Sequence, residues 1–358
     1  MTALTSEKTS VRPRPCESLD VGALLELLRQ MMLIRRFEER CAQSYQQAKI
    51  GGFCHLYIGQ EATAVGSIAA AHPDDPVITA YRDHGHALAR GMDPRYAMAE
   101  MFGKITGCCK GKGGSMHLFD RQRQMYGGHA IVGGQCPMGV GIAFAIKYLS
   151  EKKVCLCYLG DGALNQGAFH ESMNLAAIWK LPIVFAVENN MYSMGTHIAR
   201  GTSMAHDLSA KAGAYGMEFQ RCNGMDVLDT YDCFKQVLDR VRGGEHGPMM
   251  VEARTYRYKG HSMSDPQKYR TKEEVAQHEQ RDPINSFVNH LIDQRLATQE
   301  QIEELDRQAK QAALDAVRYA DESPEVTAEE LYTDVYSQPF PPYKPGDLPP
   351  MCREDEGR

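Results

Sequence analysis

Several absences bound the reading of this sequence. It has no apolar run long enough to span a bilayer, no CxxC pair among its 11 cysteines, and no excess of positive charge, the net charge being −6. The first absence excludes a helical membrane protein. The second removes the spacing that chelates zinc or runs thiol exchange. Reduced, mostly buried thiols and a cytoplasmic location are therefore expected. The third removes the attraction that nucleic acid or an anionic membrane surface would need, so neither is expected as a partner. The first fifteen residues carry no apolar segment and little of the Arg-rich, amphipathic character of a mitochondrial presequence. Residues 1–18 are expected to be a disordered arm.

What is present suits a large core: 358 residues, 43% of them hydrophobic. Leu24, Leu27, Leu28, Met31, Ile34 and Phe37 recur at helical spacing within residues 20–48, and Gly51-Gly52 ends that helix. A second helix is expected over 60–72, a short strand over 77–81 and a helix over 94–102. Glycines at 107, 111, 113 and 114, interleaved with Lys110 and Lys112, read as a loop whose backbone can approach another group closely. Helical periodicity returns over 137–149.

The middle of the chain is the most regular part. Residues 153–159 (KVCLCYL) form an apolar run that ends in Gly160-Asp161-Gly162. A helix is expected over 167–180. Residues 182–187 (PIVFAV) form a second apolar run, ending in Glu188-Asn189-Asn190. Two apolar strands joined by a helix make a parallel βαβ unit. A further helix over 227–241 and strand over 249–256 extend the pattern. The expected fold class is α/β, a doubly wound and mostly parallel sheet with an N-terminal helical arm and C-terminal helices. Residues 259–270 read as a polar loop. Helices follow over 284–295 and 299–320, the latter opened by a Thr298/Gln301 capping box. One domain is expected over 19–338, followed by a Pro-rich tail over 339–358.

In an open parallel sheet, ligands bind beyond the carboxyl ends of the strands. Asp161 and Asn190 arrive there 29 positions apart, one βα unit. A carboxylate beside an amide oxygen makes a hard-oxygen pair suited to Mg²⁺, and a carbonyl such as that of Tyr192 could add a third ligand. The helix that follows Gly160-Asp161-Gly162 would point its N-terminus and free N–H groups at the same spot, where they favour a diphosphate. GDG alone or Asn-Asn alone would be an ordinary loop; their spacing after two apolar strands is what makes the pair specific.

These residues resemble the thiamine-diphosphate fingerprint, GDG followed about thirty residues later by NN. HLYIGQEA around His55, AYRDHG around Tyr81 and Arg82, KGKGGSMH at 110–117, YGGHAIVG at 126–133, ENNMYSMGT at 188–196 and TYRYKGHSMSDP at 255–266 extend the likeness over residues 20 to 335. Together they resemble the α subunits of pyruvate dehydrogenase E1 components, thiamine-diphosphate-dependent 2-oxoacid dehydrogenases, in a bacterial form. The resemblance implies the thiamine-diphosphate-binding fold, with thiamine diphosphate and Mg²⁺ as cofactors. Asp161, Asn190 and the Tyr192 carbonyl would hold the metal. Gly162 and Ala163 would offer N–H groups to the diphosphate, and Tyr81, Arg82 and Arg257 would bind its oxygens, a task that suits the arginine fork. Ala130 and Val132 would face the aminopyrimidine, and Met194 would sit under the bent cofactor. His55 and His261 would line the channel as catalytic residues, His261 also touching the cofactor. Met194 would equally suit ordinary core, and Arg257 a surface.

The resemblance further implies pyruvate as substrate, a lipoyl-bearing E2 as acetyl acceptor, and a β subunit completing an α₂β₂ heterotetramer. No glutamate for the pyrimidine N1′ is recognisable here, so the chain is expected to be inactive alone. Ser262 matches a regulatory phosphorylation position of mitochondrial relatives, where added charge would stand beside the channel mouth. Lys268 falls near where those relatives carry a second regulatory serine. Branched-chain 2-oxoacid and acetoin dehydrogenase α subunits share the fingerprint but not the GHSMSDP wording. A nicotinamide dehydrogenase would need GxGxxG after a strand, and Gly139 and Gly141 lie instead in a helical stretch. A non-catalytic scaffold of the same fold would be expected to lose Asp161, Asn190 or Arg82.

Overall fold

The chain is described by a computed structural model over residues 14–244 and 247–335. In chain order the elements are α1 (Val21–Gln46), α2 (Glu61–Ala70), β1 (Val77–Ala80), α3 (His84–Ala89), α4 (Pro94–Met101), β2 (Met125–His129) and α5 (Gln135–Tyr148). Then come β3 (Cys155–Gly160), α6 (Gly167–Trp179), β4 (Ile183–Asn189), a hairpin of β5 (Tyr192–Ser193) and β6 (Thr196–His197), and the short α7 (Ile198–Gly201) and α8 (Ser209–Gly213). The chain continues through β7 (Glu218–Asn223), α9 (Val227–Arg242), β8 (Met249–Arg254), α10 (Lys272–Glu279), α11 (Pro283–Asp293) and α12 (Gln299–Glu322).

Six strands form one sheet in the order β2-β1-β3-β4-β8-β7, and every pairing in it is parallel. Side chains alternate between two faces because the strand repeat is two residues. Leu156 and Tyr158 of β3, with Val184 and Ala186 of β4, join a core shared with α1, α2 and α9. Cys155, Cys157 and Leu159, with Ile183, Phe185 and Val187, face the opposite way into a core shared with α5 and α6. Both faces are covered, so these strands are apolar throughout rather than alternating, as buried parallel strands are. Among the described residues no helix is long and apolar enough to cross a membrane. The ten described cysteines are unpaired thiols, and eight are buried.

Helix ends follow local chemistry. Asp20 caps α1 by accepting from the Ala23 N–H, and Thr298 with Gln301 forms the expected capping box on α12. Three findings differ from the sequence reading. Pro15–Ser18, placed in the disordered arm by the sequence, is a 3-10 turn with Cys16 buried, because the Asp232 carboxylate accepts from the Cys16 N–H at 2.6 Å and pairs with Arg14. Met125–His129 and Glu218–Asn223 are strands on the two edges of the sheet. The helix expected over 167–180 is found as α6, preceded by a 3-10 turn over Asp161–Asn165. Residues 1–13 of the arm and the Pro-rich tail over 339–358 lie outside the described residues.

Candidate functional site

At the carboxyl edge of the sheet the chain reverses its winding between β1 and β3, whose residues Val77 and Leu156 pair. A parallel sheet opens a crevice at such a point. Here it is a cavity of about 830 Å³. β1 delivers Tyr81 and Arg82, β2 delivers Ala130 and Val132, and β3 delivers Asp161, Gly162 and Ala163. β4 and its hairpin deliver Asn190, Tyr192 and Met194, while the segment after β8 delivers Arg257 and His261; His55 comes from the loop before α2. All thirteen sequence-predicted residues therefore line one cavity. Ser262 lines it too, with its hydroxyl 2.9 Å from that of Ser264.

Asp161 and Asn190 end neighbouring strands, with Gly160 paired to Glu188 in register. The Asp161 carboxylate is nearly fully buried, which pushes its pKa up to about 6, against the pull of Arg257 and of hydrogen bonds from Ser193 and the Asn190 N–H. The Asn190 amide is fixed at both ends: its Nδ2 donates to Gln60 Oε1 at 2.9 Å, and its Oδ1 accepts from the Tyr192 N–H at 3.2 Å. A side chain on Gly162 would run into Ser193, so glycine is needed for these two loops to meet.

The cationic side is unusual. Arg82 and Arg257 are both buried, at 8% and 2% exposure. Neither forms an ion pair with a carboxylate among the described residues. Arg82 donates to the carbonyls of Leu56 at 2.6 Å and His261 at 2.7 Å; Arg257 donates to the Lys259 carbonyl at 3.1 Å and the Tyr269 hydroxyl at 3.0 Å. Burial, and for Arg82 the neighbouring Arg257, lower both pKa values, that of Arg82 to about 10. Two buried, uncompensated guanidiniums invite an anion of more than one charge.

The rings of His55, Tyr81 and His261 cluster with centroids 4.7 to 5.7 Å apart, and the Tyr81 hydroxyl stands 3.4 Å from His261 Nε2. Burial and then the Arg82 charge hold His55 down to about 2 and His261 to about 3, so both are neutral. Their Nδ1 atoms and Gln60 Nε2 are buried without a partner among the described residues, as polar groups aimed at a ligand would be. At the mouth, Phe53, Val132 and Met194 are exposed apolar side chains, Met194 in a left-handed backbone conformation at φ 52°.

Gln60, Ser193 and Tyr269 were not anticipated. Gln60 is legible only as the polar residue that precedes α2 inside the HLYIGQEA stretch. Ser193 is legible only as part of the ENNMYSMGT stretch, and Tyr269 carries no sequence signal, because each matters through a contact formed by distant loops. Asn189, next to Asn190, lines a second cavity of about 990 Å³. A wall separates the two: Glu274, which lines the second, accepts from the hydroxyls of Tyr192 at 2.9 Å and Tyr256 at 2.8 Å. The second cavity's arginines Arg14, Arg254 and Arg281 are exposed. The first two pair with Asp232 and Glu252.

Comparison with known proteins agrees with this geometry. The family described as dehydrogenase E1 component matches residues 29–329. A Rickettsia bellii protein named pyruvate dehydrogenase E1 component subunit alpha is 47% identical over 312 residues, covering 87% of this chain and 95% of that relative. A Zymomonas mobilis protein of the same name is 47% identical over 319 residues, covering 88% and 89%. The chloroplastic subunit alpha-3 of Oryza sativa is 42% identical over 324 residues, covering 88% and 76%.

Proposed function

The chain belongs to the dehydrogenase E1 component family, and from that premise we propose that it is the α half of an E1 enzyme that decarboxylates pyruvate and passes the acetyl group to a lipoyl-bearing E2. The observation that carries this reading is the pair of buried, uncompensated guanidiniums facing a buried carboxylate across one cavity. That donor set fits a magnesium-bound diphosphate. Arg82, Arg257 and Tyr81 would take its oxygens, joined by the N–H groups of Gly162 and Ala163. Asp161, the Asn190 amide oxygen and the Tyr192 carbonyl would hold Mg²⁺. Ala130, Val132 and Met194 would pack against the rings.

When bound, thiamine diphosphate supplies the carbon nucleophile and the electron sink for carbon dioxide release. The chain's own residues bind, orient and shield. Neutral His55 and His261 can donate or accept one hydrogen bond each at the channel wall without adding charge beside the arginines. The apolar walls keep water from the reacting atoms. No spare glutamate lines the cavity among the described residues: Glu188 is held by the Tyr57 hydroxyl and lies 3.3 Å from His86. In this reading, following the family resemblance, a second subunit supplies the proton-transferring acid and covers the apolar mouth, in an α₂β₂ assembly.

Reconstitution with a candidate β partner tests the proposal. Pyruvate-dependent CO₂ release should require both chains, Mg²⁺ and thiamine diphosphate, and pyruvate should outrun 2-oxoisovalerate and acetoin. Full turnover by the α chain alone, or a preference for either rival substrate, would overturn it.

A further inference from the structure

Among the described residues two clusters have the composition of metal sites, and internal hydrogen bonds occupy the acid of each. Glu100, beside Cys108 and Cys109, accepts the N–H groups of Cys109, Gly111, Gly113 and Gly114 and so pins the glycine-rich loop. Glu38, beside Cys41 and His84, does something more specific. It is fully buried on α1. Its Oε1 accepts from the Tyr57 N–H at 2.7 Å, and both its oxygens lie 3.0 Å from His84 Nδ1. The other ring nitrogen of His84 lies 3.0 Å from the Ser115 carbonyl and 2.9 Å from its hydroxyl. That hydroxyl in turn accepts from the His55 N–H at 3.2 Å.

The ring of contacts closes: Glu38 to His84, His84 to Ser115, Ser115 to His55, and Tyr57 back to Glu38. A carboxylate and a carbonyl only accept, so both nitrogens of His84 donate, and the imidazolium is neutralised by Glu38. His55 needs such support, because among the described residues its ring has aromatic neighbours and its buried Nδ1 has no hydrogen-bond partner. Its position is set through the backbone instead. Three consecutive residues are held by three different side chains: His55 N–H by Ser115, the Leu56 carbonyl by Arg82, and Tyr57 N–H by Glu38.

We propose that Glu38, His84 and Ser115 are positioning residues for the reaction, a buried charge pair and a hydroxyl that together fix the His55 ring at the wall of the cavity. This rests on the cavity being the catalytic site. A hydrogen-bonded support of this kind acts on the geometry of the reacting state more than on cofactor affinity.

The test uses the reconstituted α and β chains with Mg²⁺ and thiamine diphosphate. Ser115→Ala should lower kcat for pyruvate about tenfold while cofactor Kd stays within about twofold, and Ser115→Thr, which keeps the hydroxyl, should recover most of the loss. His84→Gln and Glu38→Gln should lower kcat at least as far. If either fails to assemble, Ser115→Ala, which deletes one oxygen, still decides. Ser115→Ala with parental kcat, or with kcat, cofactor affinity and Tm falling together, overturns the positioning role alone. A parent complex without 2-oxoacid turnover overturns the functional reading beneath it.

Discussion

The cavity at the carboxyl edge of the sheet, about 830 Å³, is smaller than the one beyond Asn189, about 990 Å³, yet the two treat charge differently. In the larger, arginines stand in solvent, and Arg14 and Arg254 have acids beside them. In the smaller, Arg82 and Arg257 are buried without an ion-pair partner among the described residues, and Asp161 is a buried carboxylate without a cation bonded to it; Asp83, next to Arg82 in the chain but outside the cavity lining, is a second such carboxylate. Folding alone gains nothing from such groups. Volume does not distinguish the two places; charge held out of water at a cost to the fold does, because only a ligand can return it.

Three measurements sharpen or break this contrast. The largest expected effect belongs to Arg82→Ala. Removing a buried, multiply hydrogen-bonded cation should weaken Mg–thiamine diphosphate binding to the reconstituted pair by about 100-fold, read by calorimetry. A loss below about threefold would mean that the buried charge does not serve the ligand.

Asp83 comes next. Burial raises its pKa from 3.8 to about 7, and its Oδ1 has no partner among the described residues, while Oδ2 accepts from the Leu118 N–H at 2.9 Å. The ionised form is therefore penalised in the folded chain. The cost is full above pH 7, fades between 7 and 4 and is absent below that. Asp83→Asn should stabilise the ligand-free chain by about 2 kcal/mol at pH 8, and the gain should vanish at pH 4. Urea melts at the two pH values check this; a difference independent of pH would contradict it. The smallest effect is expected in the other cavity: Arg281→Ala should change cofactor affinity and turnover by less than about twofold. A large loss there would make the second cavity functional and dissolve the comparison.

The sequence exposed the interior of this fold better than its margins. β3 and β4 are buried on both faces, so their apolar runs stand out, and the residues that end them could be paired as ligands before any coordinates. β2 (MYGGH) carries two glycines and lies at the edge beside β1, while β7 (EFQRCN) is a polar strand at the other edge beside β8; neither has the pattern of a central strand. The site divides the same way. Asp161 and Asn190 sit at fixed offsets from strong strands. His84 lies in the quoted AYRDHG stretch, but its partners Glu38 and Ser115 are 46 and 31 positions away, and no local pattern links them. Long-range polar pairing has no periodicity to read. The helix expected over 167–180 is found as α6, while the 3-10 turn over Asp161–Asn165 just before it is too short to carry a periodic pattern.

One guanidinium grips the chain at two distant places, the Leu56 carbonyl and the His261 carbonyl. The two histidine-bearing loops are thus pinned like two leaves of a book to one rivet. An insertion that lengthened either loop would be felt at the other, and whatever draws the rivet toward itself tugs both leaves at once.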